Sequence, residues 1–80
     1  MRTEPKYGEV WTHFKKKDYR IVGVAEHTET KKKFVVYRAM YGGFELYVRP
    51  YEMFMSEVDR DKYPNAKQKY RFEKKVAQTE

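Results

Sequence analysis

Apolar and aromatic residues fall into four short runs in the first two-thirds of the chain, cut by polar interruptions, a pattern that reads as strands. The runs lie at roughly 9–15, 18–27, 33–41 and 44–49 and are rich in β-branched and aromatic side chains. Lys15-Lys16-Lys17-Asp18 and the stretch from Thr28 to Lys33 break the first three runs apart. Gly42-Gly43 supplies the third turn, since glycine takes the positive φ of a two-residue hairpin loop without penalty. Pro50 can occupy the first position of a helix, and Tyr51, Phe54 and Val58 then recur at helical spacing. Residues 59–68 form a polar loop around Pro64-Asn65, and Lys69-Tyr70-Arg71-Phe72 reads as a last strand returning to the sheet. The expected fold is mainly β, a small five-stranded SH3-like open barrel with one short helix after strand 4. Residues 1–80 make a single domain, with a lead-in at 1–8, the barrel at 9–74 and a frayed tail at 75–80.

Two-residue turns fix a register. Centred on Lys16-Lys17, Thr30-Lys31 and Gly42-Gly43, they align Trp11, Val22, Ala39 and Leu46 across the sheet as the centre of its core face. Glu9, Val24, Tyr37 and Val48 flank that row on one side, and His13, Arg20, Tyr41 and Phe44 on the other. The opposite face then carries Val10, Gly23, Arg38 and Tyr47, with Ala25, Val36 and Arg49 in the next row.

Composition narrows the chemistry. Eighty residues without cysteine exclude a disulfide framework and cysteine-based zinc sites, and two histidines are too few for most structural metals. No metal and no cofactor is expected. Eight Tyr, five Phe and one Trp argue against disorder despite 38 % charged residues. No apolar stretch suits a membrane span or a secretion signal, so a cytoplasmic protein is expected, a monomer or a weak homodimer with no membrane partner. The net charge of +6 favours anionic partners, nucleic acid among them.

Three groups carry candidate chemistry. Arg38, Tyr47 and Arg49 combine an aromatic platform with two guanidinium forks, the mixture that holds single-stranded nucleic acid. Against this stands ordinary cross-strand pairing of the arginines with Glu26, Glu29 or Glu45. His27 and Glu29, near Arg49 at one edge of the sheet, could supply a base and its orienting carboxylate or two metal ligands, though Thr and Glu are also ordinary in exposed hairpins. Lys15, Lys16, Lys17 and Lys31, Lys32, Lys33 sit at turns on opposite ends of the sheet, where they would steer an anion or simply solvate the tips. No nucleophile elbow, phosphate loop or paired catalytic carboxylate is present, so catalysis is not expected. Pro50 to Met55 are expected to seal the open end of the barrel.

The motifs His13-Phe14 with Tyr19, Gly23-Val24-Ala25 with His27 and Glu29-Thr30, Val36-Tyr37, Tyr41-Gly42, Val48-Arg49-Pro50, Met53-Phe54 and Arg71-Phe72 together resemble a known family. The chain is similar to domain-of-unknown-function family 1653, a group of small bacterial domains, from about Tyr7 to Phe72. Members often have Gly where Lys16 stands, Ser at Thr28 and Trp at Tyr47. The resemblance implies the fold grouping and neither a cofactor nor a reaction. The leading expectation is a noncatalytic module that binds RNA or single strands through Arg38, Tyr47 and Arg49. An adaptor binding protein or peptide in an SH3-like aromatic groove is the first alternative. A small-molecule or enzymatic site around His27, Glu29 and Arg49 is the second.

Overall fold

The computed structural model describes residues 2–76, so the last four residues of the expected tail lie outside the described residues. The elements are β1 (Val10–His13), β2 (Lys17–Glu26), β3 (Lys33–Ala39), β4 (Leu46–Pro50), α1 (Tyr51–Phe54) and β5 (Phe72–Lys74). The strands form one antiparallel sheet in the order β4-β3-β2-β1-β5. With β4 and β5 at its two edges the sheet stays open, as expected, and an SH3-like arrangement is consistent with it. Among the described residues no helix is long and apolar enough to cross a membrane.

One face of this sheet is dry. Trp11, Ile21, Val35, Tyr37, Phe54 and Phe72 form its buried cluster, with Tyr19, Val24, Tyr51 and Met55 packed against it. Each buried aromatic removes about 150–250 Å² from water, worth several kcal/mol gross at about 25 cal/mol per Å². Pro50, with φ −52°, starts α1, which is a single turn. That turn delivers Phe54, whose ring stacks on Phe72 of β5 at 4.0 Å between centroids and 7° between planes. Of the expected seal, Phe54 and Met55 face the core and Met53 is exposed. The lead-in is bound to the same cluster. Pro5 is buried, and Arg2 lies over the Tyr70 ring at 3.8 Å while donating to the carbonyls of Met55 and Phe72. At the other terminus, the Lys75 N–H donates to the Val10 carbonyl and its ammonium pairs with Asp18 at 2.9 Å.

The register departs from two-residue turns at every hairpin. His13 pairs with Lys17, so the first loop is Phe14-Lys15-Lys16. His27 closes on Lys32 around Thr28–Lys31, and Ala39 closes on Glu45 around Met40–Phe44. Each loop ends on a non-glycine residue of positive φ, namely Lys16 (73°), Lys31 (65°) and Phe44 (56°). Loops of three to five residues built on a turn followed by a left-handed residue suit the twist of the flanking strands. The first turn is therefore tight, with Lys16 itself in the glycine-favoured conformation.

These turn lengths decide which residues face the core, because a one-residue slip inverts a strand. The expected centre row holds at Trp11 and Ala39 and fails at Val22 and Leu46. On β2 a bulge between Ile21 and Gly23 inserts Val22 as an extra residue. Tyr19, Ile21 and Val24 thus share the inner side although their numbers change parity, and Val22 and Arg20 face out. On β4 the longer loop shifts pairing by one, so Tyr47 lies opposite Tyr37 and Arg49 opposite Val35. Leu46 (52 % exposed) and Val48 (63 %) consequently face solvent. The last strand begins later than expected: Tyr70 makes one bridge to Glu57, and the ladder with β1 starts at Phe72.

Lys16→Gly removes a left-handed strain of roughly 1–2 kcal/mol and adds chain entropy to the unfolded state. A net stabilisation of about 0.5–1 kcal/mol is expected, read as a higher urea midpoint at unchanged slope. Leu46→Ser should change the unfolding free energy by less than about 0.5 kcal/mol, the range of surface changes. A loss of several kcal/mol there would return Leu46 to the core.

Candidate binding site on the inner sheet face

The dry core grades into a polar rim towards the β1–β2 and β3–β4 loops, and the residues that make this transition are aromatic with a polar end. Tyr19 of β2 is the hub. Its ring meets Tyr37 at 5.2 Å, Tyr41 at 5.6 Å, Phe72 at 5.7 Å and Tyr47 at 6.4 Å, all edge to face. That geometry sets the positive ring edge against a negative ring face. The Tyr19 and Tyr41 hydroxyls are 2.6 Å apart. Burial, and next this hydrogen bond, push the Tyr19 phenol up, so it stays protonated. Tyr37 and Phe72 are buried, whereas Tyr41 (37 % exposed) and Tyr47 (41 %) present ring area to solvent.

Cations border these rings. Arg49 donates from Nε to the Tyr37 hydroxyl at 3.1 Å, and its guanidinium lies 5.6 Å from the Phe72 centroid, spanning from the β4 edge to β5. Lys17 Nζ is 4.7 Å from the Tyr41 centroid. Among the described residues the ion pairs are Lys31–Glu26, Lys33–Glu4, Lys74–Glu9 and Lys75–Asp18, so neither Arg49 nor Lys17 has a carboxylate partner there. The same positive field acts on His13, whose ring packs 4.9 Å from Phe72. Its pKa is lowered to about 4, first by burial and then by Arg49, Arg71 and Lys15. The Lys15 N–H donates to His13 Nδ1 at 3.1 Å, which the neutral ring accepts.

The sequence-expected residues are distributed differently from the reading above. Arg38 and Tyr47 are on opposite faces of the sheet: Arg38 stands on the outer face, where Leu46 of β4 is its partner. The expected Arg38–Tyr47–Arg49 platform is thereby split by the β4 shift, leaving Tyr47 and Arg49 inside. His27 caps its own turn, with Nδ1 accepting from the N–H groups of Glu29 and Thr30 at 3.2 Å each. Glu29 is exposed on that turn. The concavity at this end of the sheet, about 380 Å³, is lined by Lys31, Lys32, Lys33, Pro50, Tyr51 and Glu52, and not by His27, Glu29 or Arg49. Of the lysines, Lys17 joins the aromatic rim, Lys15 lies 5.2 Å from the Tyr63 ring, and Lys31 and Lys33 are engaged by carboxylates. Lys16 is the left-handed turn residue and Lys32 is exposed. Tyr19 and Tyr41 were not among the expected site residues; their signal was the aromatic recurrence across strands, masked by the assumed turn lengths. Among the described residues no group of three His, Asp or Glu side chains could hold a metal ion.

A small open antiparallel sheet with a cationic, tyrosine-rich rim on its inner face defines the class of protein. The chain belongs to the DUF1653 family, described as a protein of unknown function, whose model matches residues 9–74. No curated protein and no solved structure matches the chain.

The depressed His13 pKa has a sign that can be tested. The folded value of about 4 lies below the ordinary 6.5, so between these limits the unfolded chain binds more protons. Stability contributed by neutral His13 is complete above about pH 6.5 and is lost as the pH falls towards 4. His13→Gln should flatten the fall in melting temperature between pH 6.5 and 4.5, leaving the steeper carboxylate-driven loss below pH 4. An unchanged slope in that variant would assign His13 an ordinary pKa.

Proposed function

We propose that the domain is a noncatalytic binding module for single-stranded nucleic acid, RNA foremost, and that the inner-face rim is its contact surface. The observation that carries this reading is the exposed Tyr41 ring beside Lys17, with exposed Tyr47 on the same face of β4 as Arg49; neither cation has a carboxylate partner among the described residues. Bases stack on such rings whatever their identity, at about 1–3 kcal/mol per base, while the phosphates meet the cations. The net charge of +6 adds steering at long range. A cytoplasmic setting, where such strands are met, belongs to the same proposal. Arg38 is not part of this surface, and Lys15 and Lys16 contribute attraction from the neighbouring turn.

The test is an amide-shift titration with short single-stranded RNA and DNA at low and at moderate salt. Saturable shifts at Tyr19, Tyr41, Tyr47 and Arg49 are expected. Tyr47→Ala should weaken binding by about 1–3 kcal/mol. Lys17→Gln should reduce the salt slope by about one, and Leu46→Ser on the outer face should leave affinity unchanged. Shifts restricted to the lysine tips and abolished by moderate salt would reduce the interaction to general charge attraction and overturn the reading. Salt-insensitive binding of a proline-rich peptide at the same tyrosines would replace it with an aromatic-groove adaptor.

A further inference from the structure

The outer face holds a second, separate concentration of charge. Arg20 and Arg38 are direct partners across the β2–β3 ladder and point to the same solvent side. Like charges directly opposite one another on a sheet are destabilising, and neither arginine is relieved by a carboxylate among the described residues. Each is instead held by one hydrogen bond to a backbone carbonyl. Arg20 Nη1 donates to Gly8 at 2.9 Å, and Arg38 Nη1 donates to Phe44 at 2.9 Å. Those two bonds fix the guanidinium groups and occupy one of the five donors that each carries. Both line a concavity of about 420 Å³, together with Tyr7, Gly8, Ile21 and Val22. Tyr7 lines it and is 83 % exposed, and Val22, the extra residue of the β2 bulge, is on this side.

We propose that the Arg20–Arg38 pair is a binding site for a phosphate group, with Tyr7 and Val22 as its apolar wall. The Cα atoms of Arg20 and Arg38 are about 5 Å apart in the ladder, and although their backbone bonds lead to opposite sides, both arginines line the one concavity, where the donors left free can meet a single anion. A carboxylate offers two oxygens and is satisfied by one fork, whereas a phosphate has enough acceptor oxygens to engage both. Binding would remove the repulsion between the arginines, so ligand and fold reinforce each other. This site lies on the opposite face from Tyr41 and Tyr47 and does not rest on the reading of that rim.

The experiment is a titration of the whole chain with inorganic phosphate, with a nucleoside monophosphate and with a short single strand lacking terminal phosphate. Ionic strength is held constant with chloride, and the Arg Nε–H and backbone amide shifts are followed. Saturable shifts at Arg20, Val22 and Arg38 are expected with phosphate while Tyr41 and Tyr47 stay still, together with a rise in melting temperature. Tighter binding of the monophosphate assigns the site to a phosphate monoester with Tyr7 stacking on the base. Stronger response to the unphosphorylated strand assigns it to backbone phosphodiesters. Arg38→Ala should weaken phosphate binding at least about tenfold, the loss expected for one charge-assisted contact, and should melt no lower than the parent without phosphate. Arg20→Lys, which keeps the charge and loses the fork, should weaken binding less than Arg38→Ala does. Equal response to acetate, no saturable shift with any probe, or full binding by Arg38→Ala would each overturn the proposal.

Discussion

A sheet of five short strands can bury only one face, and side chains alternate with period two, so every turn must deliver its strand in the parity that keeps apolar residues inside. This constraint governs the molecule. The three hairpin loops close on Lys16, Lys31 and Phe44 in left-handed conformations, and the bulge at Val22 changes the parity of β2 halfway along its length. Trp11, Tyr19, Ile21, Val24, Val35, Tyr37 and Phe72 reach a common side as a result. One helical turn at α1 then lays Phe54 on Phe72. The strain of three left-handed side chains, roughly 1–2 kcal/mol each, is small against the apolar area that correct parity takes out of water.

Site and core are one continuous structure. Tyrosine can fill a core with its ring and still leave a hydroxyl at the surface, and Tyr19, Tyr37, Tyr41 and Tyr47 are graded in that way from buried to exposed. Arg49 uses the same logic, placing its guanidinium against Tyr37 and Phe72 while its charge stays without a carboxylate partner among the described residues. Burial first, and then the charges of Arg49, Arg71 and Lys15, keep His13 neutral, and Arg49 is the cation an anion would meet at this rim. Neutrality in turn lets His13 pack on Phe72 and accept from Lys15 without a buried positive charge.

Strand number, the position of the short helix, the edge-to-edge openness and the inner placement of Trp11, Tyr37 and Ala39 were legible in the sequence because local enrichment and alternation carry them. Turn length was not. Lys16 and Phe44 give no residue-level sign of positive φ, and the Gly42-Gly43 pair suggested a two-residue loop where the structure closes five residues between Ala39 and Glu45. The bulge was equally silent, since Ile21 and Val22 are both good core residues and only tertiary packing chooses between them. Those two errors account for the misassignment of Val22, Leu46 and Val48 to the core face and of Tyr47 and Arg49 to the outer face, whereas Arg38 stands on the outer face as expected. His27 was a reasonable chemical candidate by type, and its capping of Glu29 and Thr30 depends on backbone geometry that composition does not encode.

The parity argument also bears on how charge is distributed. Once β4 is set by its loop, Arg49 must face the rim and Arg38 must face away, so the two arginines cannot serve one ligand. Four lysines are engaged by carboxylates among the described residues, near the lead-in, the second hairpin and the β1–β5 edge. Among the cations without such partners, Arg49 and Lys17 lie on one face of the sheet and Arg20 and Arg38 on the other. A scaffold optimised for stability alone would intersperse acidic partners at both places, because like charges in a ladder oppose folding. Anions at the two proposed sites would each supply the negative charge that these pairs lack within the sheet.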